Sequence, residues 1–312
     1  MTDKKILCVS IDLDALACYY ALYGLAPPDT LKTSHYTKGL ARFLEFFGEL
    51  GIKATLFAVG EDLKEQGCTE ILREAVRAGH EPANHSWSHP YDLTRKPPGV
   101  IRSEIFKGHD AIAAACGREP VGFRAPGYHL CDAVTQLLRE RGYRYDASLL
   151  PSPPYYLTKS AVILLSRLRG RKSRSIVGGP GMIISPAYPF RSGSRYWRRG
   201  SGLLEIPCSV ATPLRIPLIG TSLTLLPDRA SSLLLGFAGN LDFISLEFHA
   251  IDMMDARLDG FDGLRPYQPD ARVSLDEKRR KISGALRKLT GQFGFDSMTL
   301  EEAAPLLEKA VI

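Results

Sequence analysis

The feature that most constrains the fold of this chain is a regular alternation of short apolar runs with amphipathic segments, several of which end at glycines. The apolar runs have the length and residue types of strands, and they fall at residues 5–14, 54–59, 81–84, 121–124, 143–146, 203–206 and 243–248. The amphipathic segments predict helices at residues 38–50, 68–78, 102–115, 132–141, 276–289 and 300–309. Such alternation is typical of a parallel sheet, either a barrel or a doubly wound sheet. We therefore expect an α/β fold with its chemistry at the carboxyl ends of the strands.

Charge is distributed unevenly along the chain. The 312 residues include 40 lysines and arginines against 34 aspartates and glutamates, a formal charge of +6. Residues 147–204 hold ten of the basic residues and no acidic one, so the other 30 basic and 34 acidic residues leave −4 elsewhere. With 45% hydrophobic and 24% charged residues, the composition excludes a disordered or fibrous chain. We interpret residues 147–204 as a basic elaboration on a globular fold.

The sequence predicts neither a secretory signal nor a membrane-spanning segment. The apolar run before Asp12 is too short for a secretory signal and has no small-residue cleavage site after it. No stretch of about 18 residues is apolar enough to span a membrane. The six cysteines are scattered without a CxxC pair, which favours free thiols. We therefore expect a cytoplasmic protein with no signal peptide and no transmembrane helix.

Two pairs of polar residues follow the first and third predicted strands. Asp12 and Asp14 lie two apart on an extended chain, so their carboxylates project to the same side, which is costly unless a cation or a proton lies between them. His85 and His89 lie four apart, and we expect them on one face of a helical turn, where two imidazoles can bind one metal ion. Either pair alone is weak evidence for a site.

Two further candidate functional residues, Arg124 and His249, lie at the ends of later predicted strands. Residues 122–128 read as a strand followed by a rigid turn, which can aim Arg124 and expose backbone N–H groups, although an ordinary turn with a surface arginine has the same pattern. His249 ends an apolar strand, where a hydrogen-bonded core histidine is the alternative. All four groups in this order are much less common by chance than any one of them.

Taken together, these motifs resemble the polysaccharide deacetylase family, also called carbohydrate esterase family 4 or the NodB-homology domain. The first family motif usually has two adjacent aspartates, and the separation of Asp12 and Asp14 by Leu13 departs from it. The segment 11–17 is nevertheless similar to a sub-branch that contains Helicobacter peptidoglycan deacetylase-like and allantoinase-like proteins, in which the first aspartate is the base and the second is a metal ligand. Residues 145–148 resemble the fourth family motif without its usual tryptophan, and residues 205–207 resemble a late strand of the domain. The resemblance implies an irregular (β/α)7 barrel. It also implies one catalytic domain over residues 1–312, with 147–204 as the basic elaboration within it.

The resemblance implies a site for one divalent metal ion. Its ligands would be Asp14, His85 and His89, a set of two imidazoles and one carboxylate that leaves positions open for water and substrate. Zinc is the first choice for such a set, while manganese, cobalt and nickel are also compatible with it.

The resemblance also implies roles for five residues around that metal. Asp12 would be the general base that accepts a proton from water, and Arg124 would pair with Asp12 and hold it ionised. The backbone N–H of Tyr128 would donate to an oxyanion. His249 would be the general acid that protonates the leaving amine, and Asp146 would orient His249 and keep it protonated.

The implied reaction is hydrolysis of an N-acetyl or N-formyl group on an amino sugar. Because the sequence predicts no export, we expect an internal substrate, such as a lipid-linked glycan or glycolipid precursor at the cytoplasmic membrane face. Two alternatives stay open at this point. One is a cyclic amide hydrolase of the allantoinase or imidase type on the same barrel, and the other is a non-catalytic carbohydrate-binding member of the family.

The basic segment suggests a partner. Within residues 157–199, basic residues stand beside aliphatic and aromatic ones, as in a helix that lies at an anionic membrane surface. A solvated basic loop and an oligomer contact are alternatives. Nucleic-acid binding is not expected, because no nucleic-acid-binding module is recognisable. The oligomeric state stays open.

Overall fold

The computed structural model describes residues 4–168, 176, 178–179 and 181–310, and for residues 165–167 it describes only the backbone. Its strands are β1 Lys5–Asp12, β2 Ala54–Ala58, β3 Glu81–Asn84, β4 Gly122–Phe123, β5 Tyr145–Asp146, β6 Phe190–Ser192, β7 Arg199–Glu205, β8 Val210–Ala211, β9 Ile216–Pro217, β10 Phe243–His249 and β11 Phe295–Met298. Its α-helices are α1 Leu16–Leu22, α2 Ala41–Leu50, α3 Gln66–Arg77, α4 Pro98–Cys116, α5 Asp132–Arg141, α6 Pro153–Leu168, α7 Gly181–Ile184, α8 Gly220–Leu225, α9 Asp228–Ala238, α10 Ala256–Asp259, α11 Leu275–Arg287 and α12 Leu300–Ala310.

A curled parallel sheet forms the centre of the molecule. Within the described residues, eight strands of this sheet run parallel: β10, β1, β2, β3, β4, β5 and β7 follow one another in that order, and β11 pairs with β1. The strand β6 pairs antiparallel with β7 at the edge. The opening between β7 and β10 is narrowed by the chain after β7, where Ser209 N donates to Ser245 O at 2.9 Å. The sheet is thus an irregular half-barrel, which confirms the predicted α/β barrel class.

The two faces of β1 show how the residue pattern builds this sheet. Leu7, Val9 and Ile11 point to one face, where they are buried in a large apolar cluster that includes Phe43 and Phe47 of α2. The alternating Ile6 and Cys8 point into the half-barrel, in a second cluster with residues of α12. Because both faces are covered, β1 is apolar along nearly its whole length. Polar side chains become possible only where the strand leaves the core, at its carboxyl end.

The predicted elements match the structure closely in the first half of the chain. The predicted strand 81–84 and helix 132–141 have the observed bounds of β3 and α5. The predicted helix 38–50 begins instead with a π-helical segment, His35–Leu40, before α2. The sequence did not predict the helices α1, α7, α8, α9 and α10 or the strands β6, β8, β9 and β11. All six cysteines are free.

The basic segment contributes regular structure on both sides of a gap. It forms α6 and α7 and then supplies β6 and most of β7 at the edge of the sheet. Four of its ten basic residues lie outside the described residues, namely Arg169, Arg171, Lys172 and Arg174. Among the helices that the structure describes, none combines the length and the apolar character needed to cross a bilayer.

Candidate active site

Strand register brings the predicted polar residues to one edge of the sheet. Asp12, the last residue of β1, stands opposite His249 of β10 on one side and Phe57 of β2 on the other. His85 follows β3 directly, and Arg124 follows β4 directly. Because these strands are parallel, their carboxyl ends meet at the same rim of the half-barrel.

A buried cluster of one carboxylate and two imidazoles lies at this rim. Asp14 Oδ1 is 3.2 Å from His85 Nε2 and 3.1 Å from His89 Nε2. Asp14 Oδ1 and His89 Nε2 are buried without a hydrogen-bond partner among the described residues. Three buried atoms with lone pairs that converge without other partners fit the requirements of a divalent cation site. Although burial raises the pKa of Asp14, the two histidines hold it well below its usual range.

The tautomer of His85 is determined by the strand next to it. His85 Nδ1 lies 2.8 Å from the carbonyl oxygen of Arg124. A carbonyl can only accept a hydrogen bond, so Nδ1 carries the proton and Nε2 presents its lone pair to Asp14. This is the arrangement in which a histidine binds a metal ion with its other nitrogen held by the protein.

The loop between the two histidines is not helical, so the prediction that they share one face of a helical turn is wrong. Ser86 and His89 have positive φ angles of 71° and 54°, a conformation that is unfavourable for these residues. Side chains hold the loop: Asn84 Oδ1 accepts from Ser86 N at 2.9 Å, and Ser86 Oγ accepts from His89 N at 3.1 Å. A Cβ on Gly108 of α4 would lie 2.5 Å from Asn84 Oδ1, so only glycine lets α4 support the loop this closely.

A buried ion pair occupies the floor of the site. Arg124 Nη1 donates to Asp12 Oδ1 at 2.6 Å and to Ser10 Oγ at 3.0 Å, and its guanidinium lies 4.1 Å above the centre of the Phe57 ring. The other oxygen, Asp12 Oδ2, faces the cluster at 3.8 Å from His85 Nε2. Burial raises the pKa of Asp12, while Arg124 and His85 act in the opposite direction. On balance the pKa of Asp12 stays above its usual value, because Arg124 and His85 offset burial only in part. Asp12 therefore has one carboxyl oxygen held by Arg124 and the other directed toward the candidate metal site.

The carboxylate that pairs with His249 is Glu247, not Asp146 as predicted. His249 Nδ1 lies 2.9 Å from Glu247 Oε1, and His249 Nε2 faces Asp14 Oδ2 at 3.8 Å. Although burial lowers the pKa of His249, the charge of Glu247 raises it well above its usual value. Glu247 lies two residues before His249 on β10, so strand alternation puts both side chains on one face. That spacing is the signal that could have identified Glu247 from the sequence.

Asp146 belongs to a different network, behind Arg124. Its Oδ1 accepts from Ser148 Oγ at 2.6 Å, and Ser148 Oγ in turn accepts from Ala125 N at 2.8 Å, next to Arg124. Burial raises the pKa of Asp146 to about 6, and it raises the pKa of the adjacent Glu205 well above its usual range. Glu205 Oε1 accepts from Leu149 N at 2.9 Å. Asp146 was misassigned because it ends β5, which is separated from β1 in the sheet by β2, β3 and β4.

Tyr128 lies in the turn after β4 with a positive φ of 65°. Its backbone N–H donates to the carbonyl oxygen of Ala125 at 3.1 Å. That N–H is therefore not free to stabilise an oxyanion, contrary to the expectation. The side chain is buried, with its ring packed edge-on against Tyr155 at 5.6 Å between centroids. Tyr128 thus forms part of the wall of the site next to α6.

Known protein families provide an independent comparison. Residues 31–145 match the family model described as polysaccharide deacetylase. The chain is 28% identical to a peptidoglycan deacetylase of Helicobacter pylori over 164 residues, which cover 50% of this chain and 54% of that protein. It is 38% identical to a chitooligosaccharide deacetylase of a Bradyrhizobium species over 76 residues, 24% of this chain and 33% of that protein. The chain thus matches about half of the length of these relatives or less.

Solved structures extend the similarity of fold to the whole chain. A protein from Mycobacterium smegmatis that is assigned to the polysaccharide deacetylases superposes with a TM-score of 0.62 at 19% identity, over 100% of this chain and 94% of that one. The PuuE allantoinase superposes with a TM-score of 0.59 at 16% identity, over 98% and 91%. At such identities, the superpositions establish the fold alone. The family match itself covers residues 31–145, and the superpositions extend only the similarity of fold to the rest of the chain.

Proposed function

We propose that this protein is a metal-dependent hydrolase that removes an N-acetyl or N-formyl group from an amino sugar. The observation that carries the proposal is the position of the cluster Asp14, His85 and His89 between two different proton-transfer groups. The ion-paired carboxylate Asp12 lies on one side, and the imidazole His249 lies on the other. We further propose that residues 1–312 contain one catalytic domain, with 147–204 as an elaboration within it.

The metal would be held by Asp14, His85 and His89. A divalent cation in such a site supplies Lewis-acid chemistry, since it polarises an amide carbonyl and makes water more acidic. Zinc is the first candidate, and manganese, cobalt and nickel suit the same ligands. Arg124 holds Asp12 Oδ1, so Asp12 Oδ2 is the oxygen that accepts the proton of the attacking water.

His249 would then complete the reaction. Glu247 holds its Nδ1 and favours the protonated ring, so the Nε2 proton is available for the leaving nitrogen. Water thus supplies a hydroxyl group to the acyl carbon, the C–N bond breaks, and the amine leaves with the proton from His249. The products are a free amino sugar and acetate or formate. Asp146, through Ser148, is a positioning residue for the turn that carries Arg124.

The surface of α6 supports a substrate held at a membrane. Leu157, Leu164 and Leu168 share one face of this helix and are 72%, 58% and 75% exposed, in a segment without acidic residues. Exposed apolar patches beside basic residues suit a membrane interface. Each lysine or arginine close to an anionic leaflet adds about 1 kcal/mol of attraction, and the cytoplasmic leaflet is the anionic one. We therefore propose a lipid-linked amino sugar as substrate and peripheral contact through residues 157–199.

Acetate release from a panel of soluble and lipid-linked N-acetyl amino sugars, with and without a chelator, tests this function. We expect chelator-sensitive release that is faster on lipid-linked sugars, together with binding of anionic liposomes at low salt. Ring opening of a cyclic amide without acetate release would favour the allantoinase or imidase type instead. Purified protein without stoichiometric divalent metal and without turnover would favour a non-catalytic carbohydrate-binding member.

A further inference from the structure

A largely apolar cavity of about 430 Å³ lies between α1, α6 and the segment that leads from β9 into α8. Its volume falls within the range of ligand pockets, which is roughly 300–1,000 Å³. Aliphatic and proline side chains from all three elements form most of the wall, namely Leu22, Pro154, Val162, Ile163, Ile216, Pro217, Ile219, Leu225 and Leu226. The catalytic residues proposed above do not line it.

One end of the cavity opens at the surface of α6. Val162 and Leu225 line the cavity and are nevertheless 45% and 38% exposed, and Thr158 beside them is exposed as well. Val162 is on the same helix as the exposed apolar face that we propose as the membrane contact. An apolar chain could therefore enter the cavity from that surface without crossing a polar region.

The other end of the cavity reaches the candidate active site. Tyr155 lines the cavity, and its ring packs edge-on against Tyr128. Ile219 lines it as well, and its backbone forms a parallel bridge with Glu247 on β10. Burial and the nearby charges of Glu247 and Asp14 raise the pKa of Tyr155. The cavity thus connects the surface of α6 with the wall of the site.

Among the described residues, one basic side chain, Lys159, lines this cavity, and burial lowers its pKa to about 8. Lys159 Nζ lies 3.4 Å from the carbonyl oxygen of Gly127 and 3.3 Å from His129 Nε2. Burial and the lysine charge lower the pKa of His129 to about 3, so this ring is neutral. Among the side chains that the structure describes, no carboxylate forms an ion pair with Lys159. An apolar cavity with one uncompensated ammonium group is complementary to an amphiphile with an anionic head.

We propose that this cavity binds the hydrocarbon chain of the substrate's lipid carrier, with the phosphate that joins lipid to sugar next to Lys159. This inference rests on the proposed deacetylase function, because it names the part of the substrate that the cavity recognises. The turn 126–129 then separates the lipid phosphate from the proposed metal ligands. The sugar attached to that phosphate lies on the side of Tyr128 that faces the site.

Direct binding tests the cavity independently of catalysis. Farnesyl phosphate, below its micelle concentration, would be titrated into the full-length protein by calorimetry. We expect Val162→Trp to weaken binding about tenfold, the effect of removing apolar contacts from roughly two methylene groups. Val100→Trp is the matched control, because Val100 of α4 is 42% exposed and does not line the cavity. Equal affinity of the two variants for farnesyl phosphate would overturn the proposal.

A substitution of Lys159 tests separately whether this residue binds the phosphate. Lys159→Met keeps the length and apolar character of the side chain but removes its charge. We expect the variant to bind farnesol as the wild type does, while the preference for farnesyl phosphate over farnesol disappears. A preference that persists in Lys159→Met would refute the assignment of the phosphate.

Turnover separates this inference from the proposed function. The ratio of kcat/KM on a lipid-linked sugar to kcat/KM on its soluble counterpart should fall about tenfold in Val162→Trp, and it should not change in Val100→Trp. Absence of acetate release from every substrate, with farnesyl phosphate still bound, would refute the deacetylase function and leave the lipid site standing. If the wild type hydrolysed a long N-acyl group faster than an N-acetyl group and Val162→Trp did not, the cavity would be a site for the acyl group, and the inference would be overturned.

Discussion

Replacement of Glu247 by glutamine tests the proposed general acid most directly. Glutamine keeps the shape and an oxygen acceptor at His249 Nδ1 but removes the charge. The two groups lie 2.9 Å apart; Glu247 is fully buried, and the His249 side chain is 21% exposed. Unit charges about 4 Å apart attract by roughly 4 kcal/mol at an effective dielectric near 20, and breaking one buried pair typically costs about 3–5 kcal/mol.

The direction in which the pH profile should move follows from the role of His249. It donates a proton only when protonated, so turnover is present below its pKa and is lost as the pH rises through that pKa. Glu247 raises this pKa, and its removal lowers it, so the alkaline limb of the pH profile should move to lower pH. If about 3 kcal/mol is lost, the ratio of protonated to neutral His249 falls roughly 100-fold at a given pH.

The assay is acetate release on the best soluble substrate, as kcat/KM from about pH 5 to pH 9. We expect Glu247→Gln to lose about 100-fold at the alkaline end and much less at the acid end, with unchanged metal content. Glu81→Gln is the matched control, because Glu81 is also buried but lies at the amino end of β3, bound to Thr55 and Tyr145. A Glu247→Gln profile that coincides with the wild type would refute the reasoning.

Four further predictions address the metal, the base and the fold. Asp12→Asn should retain the metal and lose turnover by about 100-fold or more, whereas His85→Ala should lose both, as measured by metal analysis beside acetate release. A chelator should abolish turnover, and zinc, manganese, cobalt or nickel should restore it to different extents. Gly122→Ala should reduce the free energy of unfolding by about 3 kcal/mol in urea, because a Cβ there would lie 2.1 Å from the Tyr145 ring. Burial raises the pKa of Glu81 to about 7, so the stability that this residue contributes is greatest below about pH 4.5. The free energy of unfolding should fall by about 3 kcal/mol as the pH rises to 7 and above, and this decrease should be absent in Glu81→Gln.

Each of these predictions has an outcome that contradicts it. Wild-type turnover in Asp12→Asn would remove Asp12 as the base, and full activity in the chelated protein would remove the metal from the mechanism. Gly48→Ala provides a control for Gly122→Ala, because nothing lies within 4 Å of its added Cβ and the substitution should be neutral or stabilising. Equal stability of both alanine variants would contradict the packing argument. Parallel pH–stability curves for Glu81→Gln and the wild type would contradict the raised pKa.

The local alternation of apolar and polar residues was sufficient to locate the regular strands and longer helices, but it did not reveal short or irregular elements. The strands before Asp12, His85 and Arg124 are short apolar runs bounded by polar residues, so their position could be read from the chain. The helix α1 was missed because it follows β1 after three residues and is only seven residues long. The histidine loop was misread because spacing alone cannot distinguish a helical turn from a bend with two positive φ angles.

The partners of the buried charged residues depend on contacts between residues that are distant in sequence. Asp146 and Glu247 are both acidic residues in buried strands, and although the spacing of two residues favours Glu247 as the partner of His249, the local sequence does not exclude Asp146. Strand order settles the question, since β10 pairs with β1 while β5 lies on the far side of β4. The same holds for the apolar cavity beside α6, whose walls come from three segments that are more than 50 residues apart in sequence.

The amino-acid sequence alone was enough to establish the class of fold, the ends of the main strands and the residue types of a candidate metal site. These properties depend on local alternation of apolar and polar residues and on the chemistry of individual side chains. The tertiary structure alone decided that Glu247 holds His249, that the Tyr128 N–H is occupied and that α6 covers an apolar cavity beside the site. Hydrogen bonds and cavities depend on distances of a few ångströms between residues that are remote in sequence, and only the packed sheet and its helices determine those distances.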